Sequence, residues 1–309
     1  NNCSFNVDIC DLEKEITLGM EYHLDESGDF YVLKSIGNAV YKNVINIPET
    51  YEGIPIKEIY KFAFSNCTDV KKINFNSNIE RINDNAFEGC SNLESVILSD
   101  SLIYIGNYAF KDCTKLTLLT IPSNVNTLGN YVFEGCTTEI KWNNPTIQNL
   151  SQCFIGYKGE SIVIPSSVIS LDNGAFSECT FKIIWDNPKI ENLGSGFVKY
   201  KGDTLEIPNS VTSISSGAFA DCSNLKTLTI PSSVETIGRA VFSNCSCDII
   251  WDNSQVSTLN GTFYQYAGTK LVIPNSVTEI GIGTFSQCKY LKEVTLPDGL
   301  TTIAEMLFY

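Results

Sequence analysis

A phenylalanine returns along this chain at a nearly fixed interval. Phe64, Phe87, Phe110 and Phe133 stand 23 residues apart. Phe176, Phe219, Phe242, Phe285 and Phe308 follow at steps of 43, 43, 23, 43 and 23. Each 43-residue gap holds one more, shorter copy, around Phe154, Phe197 or Phe263. The chain is therefore read as twelve coils of about 20–23 residues. A short fixed period specifies a stacked array, because one unit can bury its apolar face only against its neighbours. That reading overrides the two-domain expectation that 309 residues would otherwise carry.

The copy between Phe219 and Phe242 shows how a coil is built. Ala218-Phe219 is followed by Cys222, Leu225, Leu228, Ile230, Pro231, Val234 and Ile237. Leu228 and Ile230 share one face of a short extended segment, since strand side chains alternate. Pro231 ends that segment because it has no N–H for a ladder. Val234 and Ile237 mark a second short strand, and the chain then turns so that Phe242 plugs the interior. The intervals are too short for an amphipathic helix plus two strands, so short turns or single helical turns are expected between parallel ladders.

Twelve cysteines could suggest a disulfide framework. Cys67, Cys90, Cys113, Cys136, Cys179, Cys222, Cys245 and Cys288 instead each follow the repeat phenylalanine by three residues. They read as small buried thiols of the coil. Cys153 takes the small-residue slot before Phe154. Cys3, Cys10 and Cys247 lie outside this ladder, and a Cys3–Cys10 disulfide is left open. No CxxC pair offers a zinc site.

The three short copies carry Trp142-Asn143-Asn144-Pro145, Trp185-Asp186-Asn187-Pro188 and Trp251-Asp252-Asn253-Ser254. Their tryptophans align with Ile121 and Ile230 and read as larger core residues in preference to a ligand platform. Tyr157-Lys158-Gly159, Tyr200-Lys201-Gly202 and Tyr266-Ala267-Gly268 each turn into the next coil. Residues 1–45 do not scan as a coil. Ile16–Leu24 and Phe30–Ile36 read as strands around Asp25-Glu26-Ser27-Gly28, a hairpin capping the array. The sequence stops mid-coil at Phe308-Tyr309, so either the native chain continues or the last coil frays.

Net charge is −14, without a basic stripe, which argues against nucleic acid and anionic membranes. No apolar run reaches the length of a membrane span, and no signal peptide is visible at the start. The single histidine, His23, falls in the hairpin and reads as an exposed residue without a catalytic partner. Carboxylates are plentiful but recur at no fixed spacing, which leaves a two-acid hydrolase as the weakest reading. The Asn-x-Ser/Thr triplets at Asn2, Asn66, Asn149, Asn244 and Asn260 read as chance, two of them containing a ladder cysteine.

The unit Leu225-Lys226-Thr227-Leu228-Thr229-Ile230-Pro231-Ser232-Ser233-Val234-Glu235-Thr236-Ile237-Gly238, with Ala218-Phe219 and Cys222 before it, closely resembles the BspA-like leucine-rich repeats. The resemblance covers residues 46–309, with 1–45 as an N-terminal cap bearing the β-hairpin. It implies a leucine-rich-repeat right-handed superhelix, a strand-dominated solenoid of about twelve coils with stacked parallel β-strands. It also implies a cell-surface or secreted protein used in adhesion to host or matrix proteins, with no catalytic, cofactor or metal residues to carry over. The tryptophan-bearing short copies depart from the pattern by lacking two residues of the Cys-to-Leu spacing.

In such a scaffold the outward side of the first strand, expected to be concave, is the natural binding surface. Its central row reads Asn46, Asn74, Ile97, Thr120, Lys141, Val163, Ile184, Glu206, Thr229, Ile250, Val272 and Thr295. Ile97 through Val272 are the candidate contact residues for a protein partner. The excess of Ile and Val there fits a contact patch, and equally fits β-propensity on a ladder. A structural spacer presenting another domain is the alternative reading.

Overall fold

A computed structural model describes residues 19–37, 43–186 and 188–309. Cys3, Cys10 and residues 16–18 of the first expected strand lie outside the described residues. The chain divides into two compact units, Asn1–Thr146 and Ile147–Tyr309, and the division falls within the first short copy. Each unit is a parallel β-solenoid, and among the described residues there is no α-helix.

The first unit opens on the expected hairpin, with Glu21–Leu24 antiparallel to Tyr31–Ser35. Asp25 closes its turn by accepting from the Ser27 hydroxyl and from the N–H groups of Ser27, Asp29 and Phe30. That ring of donors, the Ser27 hydroxyl foremost, holds the Asp25 carboxyl down at about 2. Tyr31–Ser35 then pairs in parallel with Ile54–Ile59. From there a back ladder runs through Arg81–Ile82, Tyr104–Ile105 and Thr127–Leu128. A front ladder of five strands joins Val44–Asn46, Lys72–Asn74, Ser95–Ile97, Leu118–Ile121 and Glu139–Trp142. Front and back strands are connected through a tight turn, as in Pro122, whose carbonyl accepts from Val125 N at 3.2 Å.

A third ladder forms at the turn that carries the phenylalanine. At most of these turns the residues two before and two after it take left-handed backbone, for example Asn85 and Gly89 about Phe87, or Gly217 and Asp221 about Phe219. Gly, Asn and Asp recur there because they enter that region at least cost. The turns are stitched coil to coil by N–H groups, as from Phe87 to the Ala109 carbonyl at 2.8 Å. The phenylalanines point inward and pile up. Phe64, Phe87, Phe110 and Phe133 stack at ring-centroid distances of 4.9, 5.2 and 6.4 Å. Most ladder thiols lie against the carbonyl of the phenylalanine one coil earlier, Cys90 with Phe64 at 2.9 Å and Cys113 with Phe87 at 3.2 Å.

The second unit keeps the ring stack and the turns but not continuous sheets. Its front strands fall into three groups: Ser161–Ile164 with Lys182–Trp185; Thr204–Leu205 with Thr227–Ile230 and Asp248–Trp251; and Lys270–Val272 with Glu293–Thr295. Its back strands group as Asn149–Ser151 with Ser170–Asp172, then Asn192–Leu193 to Thr236–Ile237, then Thr258–Leu259 to Thr302–Ile303. In the copies ending at Phe197 and Phe263, the front strand pairs backward and the back strand forward. Each short copy is thus a joint.

The joint has a consistent anatomy. Losing two residues after the ladder cysteine sends the second residue past it inward: Phe181 and Cys247 are buried there, as is Thr138 in the first unit. Tyrosine replaces the ladder cysteine at the next turn, and Tyr157, Tyr200 and Tyr266 are buried. The Tyr200 hydroxyl donates to the Phe181 carbonyl at 2.8 Å, and Tyr266 to that of Cys247 at 2.7 Å. Gly159, Gly202 and Gly268 are required two residues on, because a Cβ at each would strike the tyrosine ring. Cys247 is therefore the core plug of its shortened connection.

The tryptophans correct the sequence reading. Their register is as expected, Trp185 pairing with Ile164 and Trp251 with Ile230. Ile121, Ile164 and Ile230 are buried, whereas the tryptophans are only half-buried. Trp185 Nε1 donates to the Glu206 carbonyl at 2.9 Å, and Trp251 Nε1 to the Val272 carbonyl at 2.8 Å. In an unbroken stretch the corresponding carbonyl takes a backbone N–H, as Thr295 does from Ile273 at 3.0 Å. The indole stands in for the main chain where the front ladder opens.

Candidate interaction surface

Strand alternation turns one residue of each front strand inward and its neighbours outward. Pairing then sets the outward residues side by side. In the first unit Asn46 aligns with Asn74, Asn74 with Ile97, and Thr120 with Lys141. The pairing of Leu118 with Ser95 sets Thr120 opposite Ile97. In the second unit Val163 aligns with Ile184, Thr229 with Ile250, and Val272 with Thr295, while Leu205 opposite Leu228 sets Glu206 beside Thr229. The nine candidate residues thus occupy equivalent outward positions, three in the first unit and six in the second.

Exposure separates these positions from the core. Ile97 is 54% exposed, Ile250 50%, Val272 46% and Ile184 40%, while Val163 is half-buried. Leu118, 39% exposed beside Ile97, belongs to the same strip although the sequence reading passed over it. The signal was present: Leu119 faces in, so its neighbour Leu118 must face out. Charged residues lie within and beside the strip. Lys141 Nζ lies 3.5 Å from Glu139, Lys226 3.0 Å from Asp203, and Lys270 3.0 Å from Glu293. Shallow depressions open on the outward faces, in the first unit about Ile97, Leu118 and Thr120, and in the second beside Trp251 with Asn253, Gln255 and Asn275.

His23 is exposed on the hairpin. Burial pushes the Cys90, Cys136 and Cys222 thiols up to about 12, so these three carry almost no thiolate near neutral pH. Among the described residues no three His, Cys, Asp or Glu side chains are grouped to hold a metal ion. No helix among them is long and apolar enough to cross a membrane.

Parallel front and back ladders, closed at every coil by a phenylalanine turn, define a leucine-rich-repeat fold. The family model described as a BspA type leucine rich repeat region matches residues 34–154, 145–267 and 256–309, and the chain belongs to that family. No curated protein matches the sequence. Among solved structures, a leucine-rich repeat protein from Bacteroides ovatus is 23% identical, over 93% of this chain and 89% of its own, with a TM-score of 0.58. The pneumococcal vaccine antigen PcpA is 18% identical over 94% of this chain and 85% of its own, also with a TM-score of 0.58. Both share the fold.

Proposed function

We propose that this chain is a non-enzymatic, cell-surface or secreted scaffold that binds a host or matrix protein through the outward face of its front strands. One observation carries the reading: Ile97, Leu118, Ile184, Ile250 and Val272 stand exposed on equivalent strands, with charges among and beside them. Strand propensity favours Ile and Val, but burial gives no reason to keep them where water reaches them. An apolar strip with a polar rim is the usual make-up of a protein contact. The acidic balance of the chain favours partners that are not themselves strongly acidic.

The test is a binding titration against a panel of purified extracellular matrix proteins, with Ile184→Glu/Ile250→Glu as the paired variant. Both side chains are exposed, so the variant should keep the wild-type melting curve. Affinity for any partner found should fall by tenfold or more. A partner bound equally well by the variant removes the front face from the reading, and a chain that binds nothing on the panel favours the spacer role.

A further inference from the structure

The ladder thiols follow one rule, and Cys245 breaks it. Cys90, Cys113, Cys136, Cys179, Cys222 and Cys288 each sit 2.9–3.2 Å from the carbonyl of an earlier phenylalanine. Cys245 Sγ lies instead 3.5 Å from the Cys222 carbonyl and 3.3 Å from Cys247 Sγ. The cause is the shortened connection. Around Ser246, which is exposed, the chain alternates, so Cys245 and Cys247 both point inward and are buried. The hydroxyl of Tyr266 grips the Cys247 carbonyl and fixes the backbone that holds the second thiol. At the equivalent slots Thr138 and Phe181 bring no sulfur, so the pair is particular to this joint.

We infer that Cys245 and Cys247 form a dithiol site that a small-molecule disulfide oxidises to an intrachain disulfide, while the phenylalanine-linked thiols stay reduced. Either sulfur can react first; take Cys245, whose thiolate the neighbouring Cys247 thiol favours in the closed joint against the upward push of burial. Its thiolate attacks one sulfur of RS–SR, the S–S bond breaks, and RS⁻ leaves and takes up a proton. Cys247 then loses its proton to solvent and attacks the Cys245 sulfur, expelling the second RS⁻. Two protein thiols are oxidised, and one RS–SR becomes two RSH. Because both sulfurs are buried in the finished coil, the exchange belongs to folding or to local opening of the joint. Closing the bond would lock the shortened connection that leads into Asp248–Trp251, the strand that pairs on one side only.

Oxidised and reduced glutathione at graded ratios are the probe. The full chain is refolded in each mixture, quenched with acid, alkylated and digested with trypsin. The fragment 240–270 contains these two cysteines and no others. Its expected form is unalkylated and lighter by two hydrogens, at a ratio at least tenfold more reducing than the urea-denatured chain needs for the same fragment. Equal midpoints in folded and denatured chain would mean that sequence proximity alone pairs the sulfurs, and would overturn the assignment. So would a doubly alkylated fragment at every ratio. Cys247→Thr, which installs the residue type already accommodated at Thr138, should return Cys245 to an alkylatable thiol with the coil intact.

Discussion

The first unit carries five front strands in one sheet, and the second carries seven in groups of two, three and two. The contrast traces to two residues. Where one 23-residue coil follows another, front strand pairs with front strand and back strand with back strand, as Ser95–Ile97 with Leu118–Ile121 and Tyr104–Ile105 with Thr127–Leu128. Where the connection after the ladder cysteine is shorter, the front strand keeps its earlier partner and the back strand keeps its later one. The phenylalanine column does not register the change. Across the joints Phe176 and Phe197 stack at 5.3 Å, as do Phe242 and Phe263, within the range found in the unbroken unit. The turn ladder also continues, Phe176 N bonding the Gly196 carbonyl at 2.9 Å. The pile is therefore set by rings and turns, and the sheets are locally dispensable.

If so, removing a ring should cost more than any change to a strand. Phe110 and Phe176 are both fully buried and stacked on two sides. Phe→Ala at either should cost about 3–5 kcal/mol through the cavity it leaves, read from urea unfolding. The two should differ in reach. In Phe110→Ala the five-stranded sheet still spans the hole. In Phe176→Ala the damaged ring borders the opening after Lys182–Trp185, and faster amide exchange should extend to Thr204–Leu205. An unchanged unfolding midpoint would deny these rings their role as plugs, and equal reach would show that the sheet breaks have no mechanical consequence.

The joint itself is probed by Gly202→Ala. The added Cβ collides with the Tyr200 ring, whose hydroxyl is anchored on the Phe181 carbonyl. Overpacking of this kind costs about 1–3 kcal/mol. Burial raises the Tyr200 phenol from 10.0 to about 12, so the folded protein keeps its proton where the unfolded chain loses it. The associated stability is complete below pH 10 and is lost as pH climbs towards 12. Displacing the ring should bring one tyrosine back towards pH 10 in an absorbance titration. A wild-type titration curve in Gly202→Ala would show that the glycine is not there to admit the ring.

Much of this was legible in the sequence, and the gaps have physical causes. The period announced the solenoid, the alternation Leu228-x-Ile230 announced the inward face, and the in-register cysteines announced buried thiols. The outward alignment of Ile97 through Val272 could be written down because parallel repeats stack like on like. What resisted was anything depending on distance between coils. Nothing in Trp185-Asp186 reveals that the strand beyond has moved out of pairing range, so the indole looked like filler for an isoleucine slot. Tyr200 and Gly202 were visible as a signature, but the ring's grip on a carbonyl 19 residues back required the fold. Cys247 looked unassigned because its slot exists only after the connection shortens. The left-handed pair about most of the phenylalanines was within reach, since Gly, Asn and Asp recur at those two positions.

The smallest expected effect separates a bridge from a space-filler. Trp185→Phe keeps an aromatic near Phe197, which the indole meets edge-on at 6.4 Å, but removes the N–H that reaches the Glu206 carbonyl. A single neutral hydrogen bond of this kind is worth about 1 kcal/mol, and the half-buried ring adds little more. Global unfolding should therefore shift only slightly. The informative reading is local: amides around Thr204–Leu205 should exchange faster, while those of Ser161–Ile164, on the paired side of the same strand, should not. The parallel substitution Trp251→Phe should act the same way beside Val272. Exchange unchanged on the open side would return the tryptophans to the role of bulky isoleucines and leave the joints held by the turn ladder alone.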